Sequence, residues 1–331
     1  MRLGLANMTR YRNLAFLILN IGLAAGLAEM AFRTFLPQYS ITQRSGLGQI
    51  TLYLIGLGSI LWFTRWFAGI NPLLFLIGYL RDWRRLLFGF ATMFLLAFAA
   101  MIFMHLVMSL AGSAGIDWRN WEAMTPNIWG RTALGLLVVV ILASAEEAIF
   151  RGFVLRYLRW NDTLAVTLGA IVASAAIFSL LHVIALQSAV REPNYVPLLF
   201  GLFLFGLLLG AVYVATGSLA CSIGMHAGLL GFKVFQRKTG LIAYQPDWFF
   251  GVRNNGYDLR EGPAIWISLF VAACLFLLFQ HWLSRRFRIE TAFAADPNAG
   301  QGLGFRLDHE AVESPAIRVD GRPGMGLQPG E

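Results

Sequence analysis

Three ionisable residues, Glu146, Glu147 and Arg151, fall within six positions of a run, 137–154, that is otherwise apolar or small. An ionised side chain near the centre of a bilayer costs roughly 3 kcal/mol, so three together need compensation or a use. Spacing supplies part of the compensation. Glu147 and Arg151 are i,i+4 with the acid on the N-terminal side, the better orientation for an ion pair along one helical face. Glu146 projects about 100° round the helix from its neighbour and need not share that arginine. This predicts a division of labour in which Glu147 and Arg151 support the local structure and Glu146 is left for chemistry. Two histidines on later apolar runs can join it: His182 closes Phe178-Ser-Leu-Leu-His, and His226 stands in Ile223-Gly-Met-His-Ala-Gly.

A glutamate with two histidines suits hydrolysis. A desolvated carboxylate acts as a general base toward water, one histidine positions that water, and another donates to the developing oxyanion. The same three side chains would alternatively ligate a divalent metal such as zinc, which lowers the pKa of bound water. The residues leave both routes open, and no cofactor is required by the first. Other intramembrane protease signatures are missing. There is no His-Glu-x-x-His, the Ala-Gly-Ser-Ala-Gly string at 111–115 ends a span, and Tyr257-Asp258 lies in a polar loop without Gly-x-Gly-Asp. His105 reads as a helix–helix hydrogen bonder and His281 as an interfacial side chain beside Trp282, while His309 falls in the tail. Cys221 and Cys274 lie far apart within apolar runs and read as packing residues.

The elements that must position this group are membrane helices. The chain has 331 residues, 57% hydrophobic and 13% charged, against about 25% charged in soluble domains, so a polytopic membrane protein is expected. The net charge of +8 is no nucleic-acid signal, because most arginines flank apolar runs. Runs near 20 residues predict an all-α transmembrane bundle of about eight spans, at 13–33, 49–68, 86–112, 131–157, 163–182, 196–216, 218–235 and 263–283. The short run 70–80 reads as interfacial or re-entrant, and the first span as an uncleaved signal-anchor. Arg2, Arg10, Arg12, Arg81, Arg84, Arg85, Arg156, Arg159, Arg285, Arg286 and Arg288 fall on one side of this topology, which predicts both termini in the cytoplasm of an inner (plasma) membrane. Counted at 1.5 Å per residue, Glu146 lies about 20 Å from the loop near Trp160 and His182 about 30 Å, a mismatch that tilt must absorb. The domain reading is an N-terminal region 1–130, a core 131–235, an extramembrane loop 236–262, a last helix 263–283 and a disordered cytoplasmic tail 284–331.

Glu-Glu-x-x-x-Arg on one span, Phe-x-x-x-His ending the next and a later histidine after Gly-Ser resemble the CAAX-protease and bacteriocin-processing (CPBP, or Abi) family. The type II CAAX prenyl endopeptidase is its best-known member. The resemblance covers roughly 131–235. It implies an intramembrane endopeptidase of glutamate or metallo type, with Glu146 as general base, His182 as its partner on the water and His226 on the oxyanion side. Glu147, Arg151 and Phe178 would be supporting motif residues. Where the family's third motif has His-x-x-x-Asn or Asp, this chain has Leu230; Asn194, Asn254 and Asn255 are the polar residues available to replace it.

The expected partners are the lipid bilayer and a peptide or protein substrate, with no nucleic acid. The topology opens the cavity away from the cytoplasm and favours exported substrates, including C-terminal sorting signals. The loops 183–195 and 236–262 would form a lid, with Trp248-Phe249-Phe250 at the membrane interface. The alternative is a non-catalytic binding or immunity-type protein on the same scaffold, suggested by Leu230. A proton-coupled transporter is weaker, since no inverted repeat appears.

Overall fold

The computed structural model describes residues 83–159, 162–185, 195–253, 256–258 and 260–287 continuously, with scattered helical residues between 16 and 62. Most of the first two expected spans, the 70–80 run, most of the 183–195 loop and the tail from 288 lie outside the described residues. The long helices are α1 (Trp83–Leu110), α3 (Pro126–Glu147), α5 (Leu164–Ala185), α6 (Tyr195–Thr216), α7 (Leu219–Thr239) and α8 (Pro263–Leu278). Between α1 and α3 lie β1 (Ala114–Ile116) and the short α2 (Trp118–Glu122), whose N-cap Asp117 accepts from the Arg119 amide. After α3 the chain winds as a π-helix, Ala148–Leu155, and ends in α4 (Arg156–Leu158). Past α7 come β2 (Ile242–Tyr244), β3 (Val252–Arg253) and β4 (Gly256–Tyr257); α9 (Gln280–Phe287) follows α8.

Among the described residues, Trp83–Leu110, Pro126–Leu158, Leu164–His182 and Val196–Thr216 are long and apolar enough to cross a membrane. The expected straight span 263–283 is instead broken: α8 ends at Leu278, and α9 leaves at 72°. Trp282, Arg285 and Arg286 on α9 explain the turn, since an amphipathic segment gains more by lying along an interface than by continuing through hydrocarbon.

The expected span 218–235 forms α7, but it does not face lipid. It packs against α1, α3 and α6, and Ala220, Cys221, Ser222, Gly224 to Leu229, Gly231 and Phe232 are all buried. A helix wrapped by others can carry polar residues, because its neighbours and not lipid solvate it. Small residues make the wrapping close. A Cβ on Gly224 would overlap the backbone of Phe90, and one on Gly228 would overlap that of Phe94, so α7 lies directly on the backbone of α1.

β1 pairs antiparallel with β2, Ala114 opposite Tyr244 and Ile116 opposite Ile242, which places the ends of α1 and α7 on one face. The loop expected to be a free lid is fastened there. Ser113 donates to Asp247, whose other oxygen accepts from the Phe249 amide at 2.9 Å. Asp258 accepts from Arg260 (2.7 Å) and Lys233 of α7 (3.4 Å), and the Arg260 carbonyl accepts from Trp266 Nε1. His105 of α1 is a further fastening. Its expected partner was another helix, but it bonds Tyr244 of β2 at 2.7 Å and Met101 O on its own helix at 2.7 Å. On the opposite face, the Arg286 guanidinium lies 5.5 Å over the Phe88 ring near the start of α1.

Two outcomes follow from these contacts. Gly224→Ala should lower thermal stability in detergent by about 1–3 kcal/mol, the range for overpacking. Gly169→Ala, where a Cβ meets nothing, should be neutral or slightly stabilising. Burial opposes the Asp258 charge, but the hydrogen bonds and charges of Arg260 and Lys233 outweigh it and hold the carboxyl below its ordinary value of 3.8. A depressed carboxyl contributes stability above its unfolded pKa and loses it as pH falls toward the folded one. Limited proteolysis should therefore find the 245–262 loop resistant from neutrality down to about pH 4 and cut more readily in stronger acid, while Asp258→Asn should be cut readily at pH 7.

Candidate active site

Where α3 gives way to the π-helix, Glu146 ends up 7% exposed and Glu147 and Arg151 are fully buried. A π-turn frees backbone groups from regular pairing, and one is captured: Ser174 on α5 donates to the Phe150 carbonyl at 3.1 Å. The Glu147–Arg151 pair expected from the spacing is present, with Nη1 3.1 Å from Oε1. Arg151 reaches further, donating through Nη2 to Gly206 O of α6 at 2.9 Å, and its guanidinium lies 4.9 Å over the Phe178 ring. Glycine at 206 lets α6 come close, since a Cβ there would press on Ala175 of α5.

Glu147 does more than pair with arginine, and here the expected division of labour is incomplete. Its Oε1 also accepts from His226 Nδ1 at 2.9 Å, and its Oε2 accepts from Ser222 Oγ at 2.5 Å. A carboxylate already paired with arginine can only accept, so the Nδ1 of His226 carries its proton there. The other ring nitrogen, Nε2, is thereby turned toward Glu146, whose Oε2 lies 3.7 Å away. Glu147 thus stands to His226 as the buried acid of a catalytic triad stands to its histidine: it fixes the tautomer and orients the ring.

His226 and Glu146 are brought together, while His182 sits one turn farther along α5. His182 is half-buried, its Nδ1 bonds Phe178 O at 2.8 Å, and its ring lies tilted, 4.4 Å from the Phe178 ring. Phe178, expected as wall or packing, joins the parts: its ring is T-shaped to Phe150 at 5.0 Å and lies 6.4 Å from the His226 ring. Phe205 of α6 closes another side of His226 at 5.0 Å. Phe178, and not His182, lies directly against the arginine.

Two contributors escaped the sequence reading. Ser222 precedes His226 by one helical turn, and the i,i+4 series Ser218, Ser222, His226 on an otherwise small-residue helix was the available signal. The carbonyls of Gly206 and Leu209 on α6 carry no sequence signal. Leu230, one turn beyond His226, is partly buried and packs with Val139 and Ala143 of α3. Asn194, Asn254 and Asn255 lie outside the described residues. As to a metal, no three His, Cys, Asp or Glu side chains are grouped as ligands among the described residues. The Nδ1 of His226 is committed to Glu147, which leaves Nε2 as the ring nitrogen that faces Glu146.

These helices and this buried polar group define a multi-pass membrane protein with a hydrolase-like site. Residues 128–230 match the family model described as Type II CAAX prenyl endopeptidase Rce1-like, so that segment is similar to this family of membrane proteases. No curated protein and no solved structure matches the chain.

The buried pair can be tested by its asymmetry. Arg151→Met should cost about 3–5 kcal/mol, because it leaves the Glu147 carboxylate buried without its cation. Glu147→Gln combined with Arg151→Met should recover part of that loss. Thermal unfolding in detergent compares the two.

Proposed function

We propose that the chain is an intramembrane endopeptidase that hydrolyses a peptide bond by carboxylate-activated water. The observation that carries this reading is the oriented pair of Glu146 Oε2 and His226 Nε2, 3.7 Å apart, with His226 held from behind by Glu147. Glu146 takes a proton from water, and the resulting hydroxide adds to the scissile carbonyl carbon. His226, as an imidazolium, donates from Nε2 to the oxyanion of the tetrahedral intermediate. Collapse breaks the C–N bond, and Glu146 returns its proton to the departing amine. His182, beyond Phe178, orients the water or the substrate carbonyl.

The Rce1-like match supports a membrane protease acting on a peptide. The finer features are our reading: both termini cytoplasmic in a plasma membrane, exported proteins as substrates, and cleavage near a C-terminal sorting signal. The arginines at 84, 85, 285 and 286 share the face where α9 meets α1, which supports that sidedness.

Comparison of protein termini in envelope and secreted fractions tests the activity. A strain carrying Glu146→Gln should lose specific termini that the native strain makes, with cleavage reduced about 100-fold or more. Termini identical in the two strains, with a phenotype only on deletion, would instead indicate a binding protein on this scaffold. Leu230→Asn should increase turnover, since one oxyanion donor is worth about 100-fold or more where it is correctly placed.

A further inference from the structure

We infer that Ser222 is a positioning residue for the His226 imidazole, acting through Glu147; the inference rests on the protease reading and deepens it. The hydroxyl lies 2.5 Å from Glu147 Oε2 and 3.1 Å from the Leu209 carbonyl, with Ser222 fully buried. One hydroxyl has one proton, and a carboxylate is the stronger acceptor, so the proton goes to Glu147. Both other donors to this carboxylate, Arg151 Nη1 and His226 Nδ1, bind the opposite oxygen, Oε1. The terminal torsion of a glutamate is soft, so two donors on one oxygen leave the carboxylate free to pivot about it. Ser222 fixes the second oxygen and with it the plane of the group. That plane sets the direction along which Nδ1 donates, and therefore where Nε2 points. Because Ser222 sits one turn before His226 on α7, the clamp and the imidazole also move as one body.

The test uses the full chain in detergent micelles with a cleavable peptide, together with nitrogen NMR of ¹⁵N-histidine, His226 being assigned by His226→Gln. At a pH where His226 is neutral, the native protein without substrate should show it as a single tautomer protonated at Nδ1. Ser222→Ala removes the clamp without adding volume to the core. It should lower kcat on the order of tenfold while leaving KM within about twofold, the signature of an interaction that matters in the transition state. The same variant should replace the single His226 tautomer by a mixture, and should cost nothing further in a Glu147→Gln background. A Ser222→Ala protein with native kcat, or one whose kcat falls while the tautomer stays single, would overturn the inference. If the native chain cleaves no peptide, the proteolytic reading fails separately, and the tautomer in Ser222→Ala still decides whether Ser222 positions His226.

Discussion

One buried carboxylate organises this molecule. Glu147 takes three donors on two oxygens, from Arg151 beside it and from Ser222 and His226 on α7. Taking ions out of water is costly, and a buried pair is tolerated only where geometry is good and the remaining lone pairs are filled. Here both carboxylate oxygens are filled, while the buried Arg151 Nε–H has no hydrogen-bond partner among the described residues, and the filling draws in other elements. Arg151 carries the network to α6 through Gly206, its guanidinium rests on Phe178 of α5, and Ser222 touches Leu209 of α6. Four elements therefore share one polar centre, and their relative rotation is set there. Apolar packing alone would allow many rotations in a bilayer, where lipid is as good a partner as leucine.

The rest of the fold can be read as what that centre requires. α7 must carry a serine and a histidine at membrane depth, so it is enclosed by other helices, and its glycines let α1 lie against its backbone. The π-helix follows directly on the glutamates, and its wider turn is where Arg151 and Phe150 leave the α-helical register. Ser174 satisfies a carbonyl of that turn from the neighbouring helix. The face where α1 and α7 end is tied by β1–β2, His105–Tyr244 and the Asp258 clasp, so the enclosed helix is anchored at its outer end as well as at its centre.

How much of this was legible in the sequence depends on the range of the interaction. The Glu147–Arg151 pair is local, four residues along one helix, and spacing alone identifies it. The boundaries of α5, α6 and α7 follow from hydropathy and from the turn at Gly217-Ser218. The Glu147–His226 bond joins residues 79 apart in sequence. Residue types suggested that histidine and glutamate would meet, but which glutamate each nitrogen would take depends on helix rotation, which long-range contacts decide. Backbone acceptors on α6 have no residue type to betray them. The bend after Leu278 was obscured because hydropathy continues through Phe279, while the amphipathic character that turns the chain begins only at Gln280.

Leu230 bears on what the centre can do. It lies one turn beyond His226, and its side chain fills apolar space shared with Val139 and Ala143 of α3, where a short polar side chain would leave a gap. With an apolar residue in that slot, His226 Nε2 is a described group that faces Glu146, and His182 lies one turn beyond Phe178 on α5. A lone oxyanion donor serves best when it is charged and does not reorient as charge develops. Glu147 serves the second need, since its hydrogen bond holds the ring. The apolar substitution and the three-donor clamp on Glu147 therefore belong to one argument. Where an apolar residue stands in the slot of a usual polar one, the histidine that remains must be held by the groups behind it.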